Sequence, residues 1–218
     1  MVVQTDIYNG LLKMFDSFTE NDVKFVYKFD EENSIKLRDE YQLLDICGKG
    51  TVLEKSVRLM EWLFSNLIHD PNYANQVSDN ALCLLQKLKN KQAINCRATA
   101  IILTECLLSV GMPARSVWLM PFNPYDRDCH VITMAFCKEL NKWVMLDATV
   151  NSIVKNEQGV PLDPIEIRDI LKNRGSLLFS DALWFYRTSC SFETQKRGYY
   201  NYLSKNTFYF KSYKYNCF

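Results

Sequence analysis

Three side chains are spaced as the working parts of a thiol nucleophile would be. Cys96 follows Asn95, a good helix N-cap, and precedes a run of apolar residues, so it is predicted at the first position of a helix. Backbone N–H groups without intrahelical partners and the positive end of the helix dipole favour thiolate over thiol there. They also offer a donor to an oxyanion forming on an attacked carbonyl. His130 opens an alternating stretch that runs to Cys137, and Asp147 closes a second one that begins at Trp143. A thiolate attacks an acyl carbon. An imidazole holds the thiolate as an ion pair and then protonates the leaving amine. A carboxylate fixes the imidazole's tautomer and orientation. Taken singly, each residue has an ordinary reading: a buried core cysteine, a strand-edge histidine, a turn carboxylate. Their order, and the elements they fall on, point to chemistry.

The elements around them are legible in outline. The helix starting at Cys96 should end near Gly111, in the position of a C′ glycine, with Pro113 beyond it. Ala114 to Met120 alternates as a strand, and Pro121 to Asp128 is a loop. Two strands, His130 to Cys137 and Trp143 to Asp147, form a predicted hairpin. Placing His130 opposite Asp147 sets Ile132 against Met145 and Met134 against Trp143, with Cys137 to Leu140 as the connection. A one-residue slip would send His130 and Asp147 to opposite faces.

Upstream, Thr51 and Glu54 form a capping-box pattern that opens a helix to about Ile68, stopped at His69-Asp70-Pro71. His69 is expected to complement that helix's C-terminal dipole, with a catalytic role as the lesser option. Ser78 or Asp79 is expected to cap a helix through Leu88. A short helix is predicted over Ile7 to Phe18 and a strand over Val23 to Phe29, while Lys36 to Ile46 is left unassigned. Gly48-Lys49-Gly50 reads as a turn, since it lacks the rest of either phosphate-loop fingerprint. Downstream, Asn151 to Gly159 is a polar turn region, and Asp163-Pro164 starts a helix through Lys172. Nine of the twenty residues from Tyr199 to Phe218 are aromatic, which predicts late elements packed on the core.

Composition bounds the rest. The 218 residues carry a formal net charge of +1, with 48% hydrophobic and 23% charged residues. This fits one globular domain, 1–218, with a catalytic core at about 51–150. No field of one sign is available to attract nucleic acid or an anionic membrane, so neither is an expected partner. No apolar stretch approaches the ~18 residues of a membrane span. No basic run followed by an apolar one occurs between Met1 and Glu20, which gives a cytoplasmic expectation. Eight cysteines without a Cys-x-x-Cys pair, and only two histidines, argue for reduced thiols and against structural zinc. Cys129 and His130 point to opposite faces of a strand, which makes a shared metal awkward. No cofactor or metal is expected.

The segments Asn95-Cys96-Arg97, Gly111-Met112-Pro113-Ala114-Arg115, Asp128-Cys129-His130 and Trp143 to Thr149 together resemble the transglutaminase-like superfamily. The catalytic core of that superfamily is related to papain-type cysteine proteases. The flanking helices and the tail resemble those of bacterial proteins carrying this domain. The resemblance implies an α+β fold in which N-terminal helices, including the nucleophile helix, pack on an antiparallel sheet. It also implies a Cys96–His130–Asp147 triad and thioester chemistry on an amide or peptide bond, with hydrolysis favoured over amine transfer. The alternative is a catalytically silent binding module on the same fold. Ala148 departs from the family's usual proline, which would loosen the turn at Asp147. Arg115 is expected in a structural ion pair behind the site. A second oxyanion donor is expected from Asn90 or Gln92, with the choice between them open. The substrate and the oligomeric state are not readable from the sequence.

Overall fold

A computed structural model describes residues 2–16, 25–27, 29 and 31–216. The elements in chain order are α1 (Val2–Met14), β1 (Val26–Tyr27), α2 (Glu32–Glu40), α3 (Leu43–Cys47), α4 (Val52–Asn66), α5 (Ala81–Lys89) and α6 (Cys96–Ser109). They continue with β2 (Ala114–Met120), β3 (His130–Cys137), β4 (Lys142–Asp147), β5 (Ser152–Lys155), α7 (Pro164–Lys172), β6 (Leu178–Phe179), α8 (Phe192–Asn206), β7 (Tyr209–Ser212) and β8 (Tyr215–Asn216). The predicted end of the first helix, at Phe18, and part of the strand expected over Val23 to Phe29 lie outside the described residues. The unassigned stretch after Lys36 holds α2 and α3.

Six antiparallel strands in the order β6-β5-β4-β3-β2-β7 form the central sheet. Side chains alternate across it, as the strand period requires. Ala114, Ala135 and Leu146 join a core with α2 to α6. Val117, Leu119, Ile132 and Met145 join a second core with α1, α7 and α8. The fold is therefore α+β, with the sheet covered by helices on both faces.

Helix ends follow the local chemistry. The capping box at α4 is present: the Thr51 side chain accepts from the Glu54 N–H, and the Glu54 carboxylate accepts from the Thr51 N–H. At α5 the cap is Asn80, not Ser78 or Asp79. Asp79 is engaged elsewhere, accepting from Tyr73 Oη, the Gln76 N–H and Lys87. At α6, Gly111 has φ +78°. Its N–H reaches the Leu108 carbonyl and that of Met112 reaches the Leu107 carbonyl, which closes a Schellman motif.

The hairpin register differs from the predicted one by two residues. Met134 lies opposite Met145, and Cys137 opposite Lys142. The connection is 138–141, one residue later than expected, because Asn141 ends the turn with φ 50°. Asparagine tolerates that left-handed conformation. A two-residue shift preserves the faces, so His130 and Asp147 still share one. The polar stretch after Asn151 contains a strand that the sequence reading missed: β5 pairs Ser152 with Asp147 and Ile153 with Leu146. Among the described residues no helix is long and apolar enough to cross a membrane.

Candidate active site

Cys96 occupies the first position of α6, as predicted. The Asn95 side chain accepts from the Ala98 N–H at 3.0 Å and donates to the Tyr73 carbonyl at 3.2 Å. The cap thus fixes the helix start and ties the 70–79 loop to it. At the first position of α6 the Cys96 N–H has no intrahelical acceptor. Buried hydroxyls lock α6 onto the sheet. Thr104 Oγ1 meets Ser116 Oγ at 3.0 Å, and Thr133 Oγ1 donates to the Ala100 carbonyl at 3.1 Å. Thr133 is three residues from His130 and Ala100 four from Cys96, so these bonds set the spacing of thiol and imidazole.

His130 Nε2 and Asp147 Oδ2 are 2.5 Å apart, with His130 buried and Asp147 fully inaccessible. Asp147 Oδ1 accepts from the Thr149 N–H at 3.0 Å. This bond, with the pairing of Asp147 to Ser152, holds the carboxylate without the proline that Ala148 replaces. Cys96 is a side-chain hydrogen-bond partner of His130 as well. Burial opposes a charged imidazole at His130, but the Asp147 charge and hydrogen bond, with Cys96, outweigh it and hold His130 well above its usual value. Burial likewise opposes charge on Asp147. The His130 charge and hydrogen bond, the Tyr199 hydroxyl and the Thr149 N–H overcome it and keep the carboxyl below its usual range. Both shifts favour the ion-paired state at neutral pH.

Several neighbours were not foreseen. Tyr199 Oη on α8 donates to Asp147 Oδ2 at 2.7 Å. The Tyr202 ring packs edge-on against the His130 imidazole, with centroids 5.3 Å apart. Arg187 donates to the Thr149 carbonyl and feels the Asp147 charge. Tyrosines three apart in a predicted packing element were a signal of a shared face, but not of what that face would meet.

Two expectations are corrected. His69 does not serve as a helix-end cation: α4 ends at Asn66, and His69 bridges to Ile94 beside the start of α6. Burial, with Arg187 and His130 nearby, pushes its imidazole down to about 4, so it is neutral at neutral pH. Arg115 makes no ion pair among the described residues. Its guanidinium stacks on the rings of Phe25 and Trp143, at 3.8 and 4.1 Å. Asn90 is the exposed C-cap of α5, its side chain 3.4 Å from that of Gln86, and Gln92 is exposed too. Among the described residues neither hydrogen-bonds to Cys96, His130 or Asp147. Among the described residues no group of three or more His, Cys, Asp or Glu side chains could hold a metal ion.

The transglutaminase-like superfamily matches residues 43–148, a span that contains Cys96, His130 and Asp147. A comparison with curated proteins gives no match. Among solved structures, the chain is similar to a candidate cysteine protease of Cytophaga hutchinsonii, at 19% identity and a TM-score of 0.44. That likeness covers 68% of this chain and 49% of the other. It is also similar to a candidate protease of Parabacteroides distasonis, at 15% identity and a TM-score of 0.39, covering 64% of this chain and 26% of that one. The chain thus spans about half the length of the first and about a quarter of the second. The transglutaminase-like segment supplies α3 to α6 and β2 to β4, while α7 and α8 lie outside it.

Proposed function

We propose that the chain, as one domain, carries out thiol-dependent acyl chemistry on an amide or peptide bond through Cys96, His130 and Asp147. The observation that carries this reading is the buried His130 Nε2 to Asp147 Oδ2 contact at 2.5 Å. It commits one ring nitrogen to the carboxylate and leaves Nδ1 for the Cys96 thiol.

The Cys96 thiolate adds to the acyl carbon, and the developing oxyanion is met by the Cys96 N–H at the α6 N-terminus. The imidazolium of His130 gives its proton to the leaving amine as the C–N bond breaks, and a thioester to Cys96 remains. His130, now neutral, takes a proton from water. The hydroxide equivalent attacks the thioester, a carboxylate product leaves, and the thiolate–imidazolium pair is restored. An amine entering in place of water gives a new amide by the same steps. Hydrolysis is the main reaction proposed and amine transfer its variant. Asp147 holds the ring and opposes its positive charge throughout.

The test is the alkylation rate of Cys96 by iodoacetamide as a function of pH, read by peptide mass spectrometry in wild type and His130→Ala. The expected result is a Cys96 that alkylates faster than the other cysteines at neutral pH and loses this advantage without His130. A Cys96 no faster than the other cysteines would remove the enzyme reading and leave a binding module.

A further inference from the structure

The structure assigns Tyr199 as a positioning residue for the Cys96–His130–Asp147 reaction: its hydroxyl and His130 Nε2 share Asp147 Oδ2, so helix α8 completes the site. This inference rests on the reading just proposed.

Asp147 Oδ2 takes the imidazole at 2.5 Å and the Tyr199 hydroxyl at 2.7 Å. The other oxygen, Oδ1, takes the Thr149 N–H. Each donor fixes one direction, and together they leave the carboxylate no freedom to rotate away from His130. Tyr199 itself is fully buried. Its ring is held by Phe179 and Phe185, at 5.4 and 5.6 Å. A buried phenol aimed at a buried carboxylate is a strong, charge-assisted donor. Burial, then the Asp147 charge and hydrogen bond, push its own ionisation well up, so it stays a donor.

One face of α8 repeats the pattern. Tyr202, three residues on, packs its ring against His130, and its hydroxyl donates to Asp128 at 3.1 Å. Lys205, three further, pairs with Asp126 at 2.9 Å and Asp128 at 2.7 Å. Residues three apart share a helix face. This face therefore touches the carboxylate, the imidazole and the loop that leads into His130, in that order. All of it lies outside the segment that matches the superfamily.

The charged and titratable groups facing Asp147 are His130 from β3, Tyr199 and Tyr202 from α8, Arg187 from the segment before α8, and His69 from the bridge beside α6, with Cys96 facing the imidazole from α6. Removing the Tyr199 hydroxyl leaves more negative charge on Oδ2 facing the imidazole. His130 then holds its proton more tightly, and its titration point rises. A residue that only filled space would change stability and leave that point where it is.

The experiment uses the full chain and the ring-proton NMR signals of its two histidines, assigned with His69→Asn. Tyr199→Phe is expected to raise the pH at which His130 titrates. Tyr200→Phe loses hydrogen bonds to the Gly175 carbonyl and to Asn9, both away from Asp147, and is expected to leave that pH unchanged. Incorporating 3-fluorotyrosine at position 199 keeps the ring and sharpens the donor, so it is expected to lower the His130 titration point. It carries the test if Tyr199→Phe does not fold. If the folded variants titrate at the wild-type pH, the positioning role is overturned while the thiolate–imidazolium reading stands. If wild-type Cys96 is itself slow and indifferent to His130→Ala, the reading of the site falls, and this inference with it.

Discussion

The two faces of the central sheet are built from different materials. The face toward α4, α5 and α6 has an aliphatic centre, with Leu59, Leu63, Leu84, Ile102, Leu103 and Leu107 buried together and aromatic rings such as Tyr41, Trp62 and Tyr73 only at its half-buried margin. The face toward α7 and α8 is aromatic and polar, with Tyr199, Phe185, Tyr202 and the buried Arg168 set among its leucines and isoleucines. The first face delivers Cys96, and the second encloses His130 and Asp147. A thiol needs only a helix start held at the right place, and shape-filling leucines with three hydroxyl contacts supply that. A buried ion pair needs donors around it, because each unsatisfied lone pair costs free energy in a dry interior. That requirement explains why a fully buried tyrosine hydroxyl, that of Tyr199, stands on the side of the carboxylate.

If the faces do different jobs, damage to each should read differently. The largest effect is expected from Asp147→Asn. Breaking a buried pair by removing one charge typically costs about 3–5 kcal/mol, and here it also releases His130, so Cys96 alkylation at neutral pH should fall steeply. Denaturant unfolding across pH sharpens this. Asp147 is held below its model-peptide value of 3.8 and His130 above 6.5. The pair's contribution is present above 3.8 and is lost as pH falls through the lowered folded value of Asp147. On the other side it is complete below 6.5 and is lost as pH rises through the raised folded value of His130. The stability gap between wild type and Asp147→Asn should therefore be widest between 3.8 and 6.5 and narrow on either side. A gap that is flat across pH would separate the carboxylate from the imidazole.

Leu103→Ala tests the aliphatic face. It removes a fully buried side chain from α6, at about 2–5 kcal/mol. Because the His130–Asp147 contact is untouched, the His130 titration should stay at its wild-type pH even as the unfolding midpoint drops. If the titration moves with stability, the division between the faces is wrong. The smallest effect is expected from Thr51→Ala, which removes one half of the α4 capping box for about 1 kcal/mol. That cap lies far from the thiol along the chain, and Cys96 reactivity measured by alkylation should not change.

Much of the fold was legible because its signals are local. Thr51 with Glu54, Asn95 with Ala98, and Asp163 with Glu166 are contacts across three residues, and each marks a helix start. Gly111 marks an end. The alternation in His130 to Cys137 and Trp143 to Asp147 was enough to put imidazole and carboxylate on one face. It was not enough to set the register, because a shift of two residues leaves every face unchanged and only the αL asparagine at 141 chooses between them.

Sequence alone determined the helix start at Cys96 and the shared face of His130 and Asp147, since backbone geometry and side-chain period act within a few residues. Tertiary structure decided what surrounds them. Tyr199 lies 52 residues from Asp147, Tyr202 lies 74 from Asp128, and Lys205 lies 77 from Asp128. No local rule links residues so far apart. Only the packing of α8 against the second face of the sheet brings the Tyr199 hydroxyl to the buried Asp147 carboxylate, and the energetic need to satisfy that charge is what gives the packing its chemistry.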